Sequence, residues 1–301
     1  MIMKRQAKST IRTSAGSKIF DVCNVLILTL LSLVCIYPVW YVLAASLSES
    51  SLLMQHTGPL LKPVGFSFSA YKAVLKNPMI LSGYLNTLKI LILGLATNIV
   101  MTSLGAYFLS RKGVLWKKPI MILITITMFI SGGMIPFYQT LQDFHLTDTH
   151  WGLILPFMIS TYNMIILRTS FESIPESLCE AARIDGAGHW KILFSVILPL
   201  SKAMLAVMVL YYGVGIWNGW FWGSTILSDR SMYPLQVVLR EILMANDTSS
   251  MTAGVAAGDV EAVGATIRYA TIIVATLPIL FVYPFLQKYF TKGVMVGAVK
   301  E

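Results

Sequence analysis

A chain of 301 residues in which 56% are hydrophobic and only 12% are charged cannot clothe a water-facing surface, so composition excludes a soluble globular domain and defines a polytopic, all-α membrane protein. The net charge of +9 would suggest nucleic acid in a soluble protein. Here the basic residues gather in short segments between apolar runs, which is the pattern of membrane topology, and no nucleic-acid partner is expected.

Residues Met1–Lys18 carry Lys4, Arg5, Lys8, Arg12 and Lys18 ahead of an apolar run from Phe20 to Ala45. That run is far longer than the apolar stretch of a secretory leader and can cross about 30 Å of hydrocarbon, which predicts a retained first helix. Cys23 and Cys35 lie on it about 18 Å apart along the axis and cannot pair; with Cys179 they read as small apolar side chains, without disulfide or metal spacing. Further spans are predicted over Ser82–Ser110, Pro119–Leu141, Trp151–Ser170, Lys202–Trp222 and Ala265–Tyr289, six in all. The expected organisation is an N-terminal part over 1–81 (N-terminus, first transmembrane helix, external loop), a core of five helices over 82–290 and a tail over 291–301.

Orientation follows from Lys and Arg. The N-terminus, the Arg111–Lys118 loop, the central loop with Arg168, Arg183, Lys191 and Lys202, and the tail with Lys288, Lys292 and Lys300 hold sixteen; the other side holds five, Lys62, Lys72, Lys76, Arg230 and Arg240. Both termini and the central loop are therefore expected in the cytoplasm. Lys89 and Arg268 fall near external span ends, where they either snorkel to the headgroups or face a polar path.

Several spans carry helix-weakening residues, among them Pro38, Gly105, Gly132-Gly133 with Pro136, Pro156, Gly213 with Gly215, and Pro278 with Pro284. They permit kinks and close helix contacts, of use to a protein that alternates between two openings and equally to routine packing.

The central stretch over 173–201, SIPESLCEAARIDGAGHWKILFSVILPLS, carries Glu176, Glu180, Arg183, Asp185, His189 and Lys191 and must lie outside the hydrocarbon. Ser173 and Glu176 have capping-box spacing, Pro175 suits a first turn, and Gly186 supplies a left-handed terminator, predicting a helix from Ile174 to Asp185. A second helix is expected from His189 to Pro199. On its own this pair could be a plain amphipathic interfacial element.

Polar and aromatic groups in the spans mark a candidate path. The fifth span ends in Tyr211, Tyr212, Trp217, Asn218, Trp220, Phe221 and Trp222. Aromatic faces beside amides suit a sugar, whose C–H face stacks while its hydroxyls bond the amide. Asn86, Tyr162 and Asn163 could line the same path. The bland readings are an interfacial aromatic belt and interhelical hydrogen bonds. The segments 46–81 and 223–264 are long and external, and the second, with Asp229, Arg230, Arg240, Glu241, Asp247, Asp259, Glu261 and the flexible run Ser249–Gly258, suits a soluble partner.

The string Glu180-Ala181-Ala182, Asp185-Gly186-Ala187 and Ile197-Leu198-Pro199 resembles the EAA loop of permease subunits of bacterial ABC importers, and the end from Gln287 to Lys300 resembles carbohydrate-uptake permeases. The resemblance runs strongly from Ser82 onward and points to maltose-type importers, in the branch associated with oligosaccharides such as alginate or pectin-derived uronates. Trp222 departs from the pattern, in which many relatives carry an acid. The resemblance implies a type I ABC importer permease fold in the bacterial cytoplasmic membrane. It also implies a coupling role for Glu180, Ala181, Ala182, Arg183, Asp185 and Gly186, which dock on an ATP-hydrolysing subunit. The implied partners are a second permease, two ATP-binding subunits and an external periplasmic or lipid-anchored solute-binding protein. ATP and Mg²⁺ would sit in the partner subunits, with no cofactor, metal or catalytic residue in this chain. No H-E-x-x-H, G-x-S-x-G or Walker A motif occurs, and all four histidines lie outside the predicted spans. The alternatives are an ABC permease for a non-sugar solute and, from a different class, an ion-coupled carrier, which would want ionisable groups at mid-span.

Overall fold

The computed structural model describes residues 15–244 and 260–298. The flexible run Ser249–Gly258, Asp247, Asp259, and the charges Lys4, Arg5, Lys8, Arg12 and Lys300 lie outside the described residues.

Helix α1 (Ala15–Ser46) has 32 residues, about 48 Å of rise, enough to cross a bilayer with a turn to spare. Its last turns pack on α14, with Tyr41 edge-on to Tyr269 at 5.9 Å, and bury Ala44 and Ala45 against Leu60 of the following segment, while the apolar surface from Ile19 to Val39 is exposed. The following segment returns through α2 (Ser50–Gln55) and α3 (Ser69–Lys76), held by hydrogen bonds from Ser46 to Tyr71 and from Ser50 to Thr266.

Helix α4 (Pro78–Ser110) starts where Asn77 caps the Met79 amide and Pro78 takes a position that needs no donor. One stripe of it, Ile80, Gly83, Thr87, Ile90, Gly94, Asn98, Thr102, Ala106 and Leu109, is buried at helical spacing, so α4 is the central post of the bundle. Gly83 is required there: a Cβ would lie 3.1 Å from the Leu235 backbone.

The predicted single span over Pro119–Leu141 is not one helix. Helices α5 (Lys117–Ile126) and α6 (Met134–Asp143) have ten residues each, and Gly133 between them adopts φ 88°, ψ 170°. The cause is local: the Gly132-Gly133 pair resists helix and Pro136 has no amide to donate. The fourth span is a bent pair, two 3₁₀ turns over His150–Phe157 joined at 47° to α7 (Thr161–Glu172), whose N-terminus is capped by Ser160.

The central loop folds as two helices, α8 (Glu176–Ile184) and α9 (His189–Ile192), the latter running through a π-helical turn (Leu193–Ile197) into α10 (Leu198–Leu200). The expected capping box does not form. Pro175 is the cap residue, without a side-chain bond, and the Ser173 hydroxyl instead donates to Ser170 O. The chain then turns 84° into α11 (Lys202–Trp217), bending at Ser201, two residues after Pro199. The fifth span ends at Trp217 rather than Trp222, because Asn218-Gly219 breaks it before α12 (Phe221–Ile226). Helix α13 (Leu235–Met244) packs across α4, and α14 (Val260–Ala298) is the last span, its backbone helical through most of the expected tail.

Three helices, α1, α4 and α14 over Val263–Val282, are long and apolar enough to cross a membrane, and the two bent pairs raise that to five. Two buried apolar clusters hold the bundle. One joins Ala106, Met164, Leu167, Phe171, Cys179, Ile197 and Met208 at the α8 end; the other joins Val74, Ile80, Trp217, Leu235, Val238, Ile267 and Ala270 at the opposite end.

Candidate translocation pocket and coupling loop

Between α4, the bent His150–Phe157 segment, the start of α7 and α11 lies a half-open cavity of about 390 Å³. Its wall is mainly apolar and aromatic, with Phe157, Tyr211, Tyr212, Trp222, Ile90 and Ile216. The polar lining is Thr87, Asn98, Ser160 and Asn163, and among the described residues no charged one lines it. Phe137, Phe157 and Trp222 form one aromatic group, with Trp222 4.6 Å from Phe137 and 5.8 Å from Phe157.

Of the sequence-predicted path residues, Asn163 and Tyr212 line this cavity and the other four do not. Asn163 is buried, one turn above its Ser160 cap. The Tyr212 hydroxyl is committed: it accepts from Ser160 N at 2.9 Å and bonds Thr102 Oγ1 at 2.6 Å, so its ring, not its oxygen, faces the space. Asn86 donates to the carbonyls of Ser231 (2.8 Å) and Tyr233 (3.1 Å) and anchors the turn before α13. Tyr162 and Asn218 point to the exterior of the chain. Trp217 is buried beside Tyr84 and borders an apolar cleft formed with Leu91, Leu95 and Pro278. Its indole N–H is buried without a hydrogen-bond partner among the described residues.

The residue that sequence reasoning missed is Asn98. It lies at mid-helix on α4, 3% exposed, and with Asn163 brings a second amide to the cavity; neither amide has a side-chain hydrogen bond among the described residues. The signal was present as an uncapped Asn inside an apolar span, a place where a polar group marks function by default. Lys89 borders a separate outer groove with Asp148, His150 and Trp151, and Arg268 donates back to Gly264 O at 3.3 Å; neither lines the cavity.

At the other end, α8 exposes Glu180, Ala181, Arg183 and Asp185, with Ala182 half-buried, and Ile184 is 87% exposed. Arg183 reaches Glu176 at 3.5 Å. The helix ends in a Schellman motif: Gly186, at φ 78°, donates to Arg183 O at 3.0 Å and Ala187 to Ala182 O at 2.8 Å. The opposite face of α8 is anchored by Cys179, fully buried, whose sulfur accepts from Arg111 Nη1 at 3.2 Å. Cys179 is thus a hydrogen-bonding anchor as well as the small apolar side chain expected. Beside it, Lys117 and Arg168 share Glu172 Oε1 at 3.1 and 2.8 Å, tying α5 to α7. Between α12 and α13 the Ser231 amide, then its hydroxyl, donate to Asp229 and hold that carboxyl below its ordinary value.

Apolar helices around a half-open, uncharged cavity, with a charged helical pair projecting from one end, define a transport permease. The chain belongs to the family of binding-protein-dependent transport system inner membrane components, whose profile matches residues 12–296. It is 36% identical to Protein LplC of Bacillus subtilis (strain 168), over 97% of this chain and 98% of that protein. It is 37% identical to the polygalacturonan/rhamnogalacturonan transport system permease protein YtcP of the same organism, over 94% of this chain and 99% of that one. Among solved structures it superposes on a chain of a bacterial ABC transporter involved in the import of the acidic polysaccharide alginate, with a TM-score of 0.84, 32% identity, and coverage of 92% of this chain and 98% of that one. The resemblance read from Glu180 through Pro199 is borne out, and the all-α permease fold with it.

Proposed function

We propose that this chain forms, with a second permease, the membrane path for an oligosaccharide delivered by an external binding protein, and that two separate ATPase subunits drive it. The carrying observation is that one cavity is lined by Asn98 and Asn163 together with Phe157, Tyr211 and Trp222, the combination of amide and ring that sugars require. The names of the relatives, polygalacturonan and alginate transporters, favour an acidic sugar. Because no charged residue lines this cavity, the uronate carboxylates would find their cations on the second permease or in water, while this chain reads hydroxyls and ring faces. The excess of Lys and Arg on the side of α8 supports a cytoplasmic loop, with exposed Glu180, Ala181, Arg183, Asp185 and Gly186 and half-buried Ala182 as the surface that an ATPase would grip.

The test is uptake of labelled oligogalacturonides and alginate oligosaccharides by cells carrying Asn98→Leu or Asn163→Leu. Each change removes one amide contact, on the order of 1.4 kcal/mol, and should lower uptake about tenfold without reducing complex assembly. Wild-type uptake by both variants would refute the sugar path.

A further inference from the structure

If the α8 loop receives the ATPase stroke, as proposed above, the stroke must reach a cavity at the far end of the bundle. Arg111, which ends α4, is only 5% exposed, and among the described residues no carboxylate pairs with it. Its guanidinium is divided among three elements. Nη1 donates to Cys179 Sγ on α8 at 3.2 Å, Nη2 to Phe171 O on α7 at 3.4 Å, and Nε to Ser110 Oγ at 3.2 Å, while the Tyr107 ring lies 5.1 Å beneath. Tyr107 also bonds His189 Nδ1 at 3.2 Å on α9. A buried cation with no carboxylate paired to it among the described residues depends on its few hydrogen bonds, which ties α4 to the loop.

The same helix is fastened at the cavity. Nine positions before Arg111, about 14 Å along α4, Thr102 bonds the Tyr212 hydroxyl at 2.6 Å. That oxygen also accepts from Ser160 N, and whichever hydroxyl donates in the Thr102–Tyr212 bond, one knot joins α4, α11 and the cap of α7 at the cavity wall. Asn98 stands one turn further on, on the same buried stripe.

We propose that Arg111 is a positioning residue for coupling: it pins α8 to α4, so that displacement of the loop shifts α4 and, through the Thr102–Tyr212–Ser160 knot, reshapes the cavity. The linkage is a contiguous chain of bonded groups between two sites, and its worth is measured as coupling rather than as binding.

The experiment is solute carried per ATP hydrolysed in the complete reconstituted importer. Arg111→Lys keeps the charge and loses the fork; Thr102→Val keeps the shape and cuts the knot far from the loop. In assembled Arg111→Lys complexes that retain their ATPase subunits, the ratio should fall about tenfold, in the lower part of the range for coupling between two sites. Thr102→Val should do the same, and the double variant should be no worse than either single one. A wild-type ratio in assembled Arg111→Lys complexes, or multiplying losses in the double variant, overturns the pin. Should Arg111→Lys fail to assemble, Thr102→Val decides, and a wild-type ratio there overturns it as well. Glu180→Lys separates the two claims: if it leaves ATPase stimulation intact the loop reading itself fails, whereas if it uncouples and the Arg111 and Thr102 variants do not, only the pin fails.

Discussion

Replacing Gly186 tests the coupling loop at its least ambiguous point. The residue sits at φ 78°, and a Cβ built there meets nothing within 4 Å, so the chain offers no steric objection beyond the backbone angle. For an L-residue that angle costs roughly 1–2 kcal/mol, and a β-branched side chain lies at the upper end. Helix α8 has nine residues, too few to hold its form by propensity alone, so the strain falls on the turn rather than on the buried clusters. At 1.4 kcal/mol per decade the native turn would lose about tenfold or more in population with Gly186→Val. Asn tolerates left-handed geometry, so Gly186→Asn should stay near wild type, Ala should fall between, and Val should be worst. The assay is binding-protein-stimulated ATP hydrolysis with parallel uptake in the reconstituted importer. If Asn is as damaging as Val, the cause is a clash with a docked subunit and the backbone argument is wrong; if Val is silent, the turn does not matter to coupling at all.

Glu180→Lys inverts an exposed charge without touching the core, so the permease should insert and pair normally while the ATPase subunits co-purify poorly, read as subunit ratios on a gel. Gly152→Ala should destabilise the chain by about 1–3 kcal/mol, because a Cβ there runs into the Leu146 carbonyl, which belongs to the backbone and cannot step aside; a thermal melt of the detergent-solubilised protein checks it, and an unchanged midpoint refutes it. In a background lacking Cys23 and Cys35, a cysteine at exposed Lys118 should be protected from an impermeant thiol reagent in intact cells and one at exposed Lys62 should react, with the opposite labelling inverting the topology.

Much of this was legible in the chain because bilayers impose few solutions. The first, second and last spans follow from apolar length alone, and the α8 turn from Gly186 and its spacing. The third span was misjudged because hydropathy counts apolar residues and does not see that Gly132-Gly133 and Pro136 together remove the helix between them. The capping box at Ser173 was equally plausible in sequence, but the hydroxyl found a nearer acceptor at the end of α7. The cavity was half legible. Aromatic residues crowding after Tyr211 announced a site, yet which of them face it depends on the break at Asn218-Gly219, which sends Trp217 into the core and Trp222 to the cavity. Asn98 went unnoticed because its neighbours are ordinary apolar helix, and only tertiary packing sets it across from Asn163.

The open stretch between α5 and α6 bears on how such a protein can be made at all. Phe129 is 82% exposed and Ile130 70%, and the backbone from there to Gly133 has left the helix, with Gly133 N donating to the Ser131 hydroxyl. Greasy side chains cannot face water, and non-helical peptide groups cannot face lipid, so neither solvent is acceptable on this flank. In the proposed importer the second permease would cover this flank, so a copy synthesised without it would be an orphan, exposed to quality-control proteases from the moment of insertion, and its abundance in the cell would track the supply of that subunit rather than the strength of its own promoter.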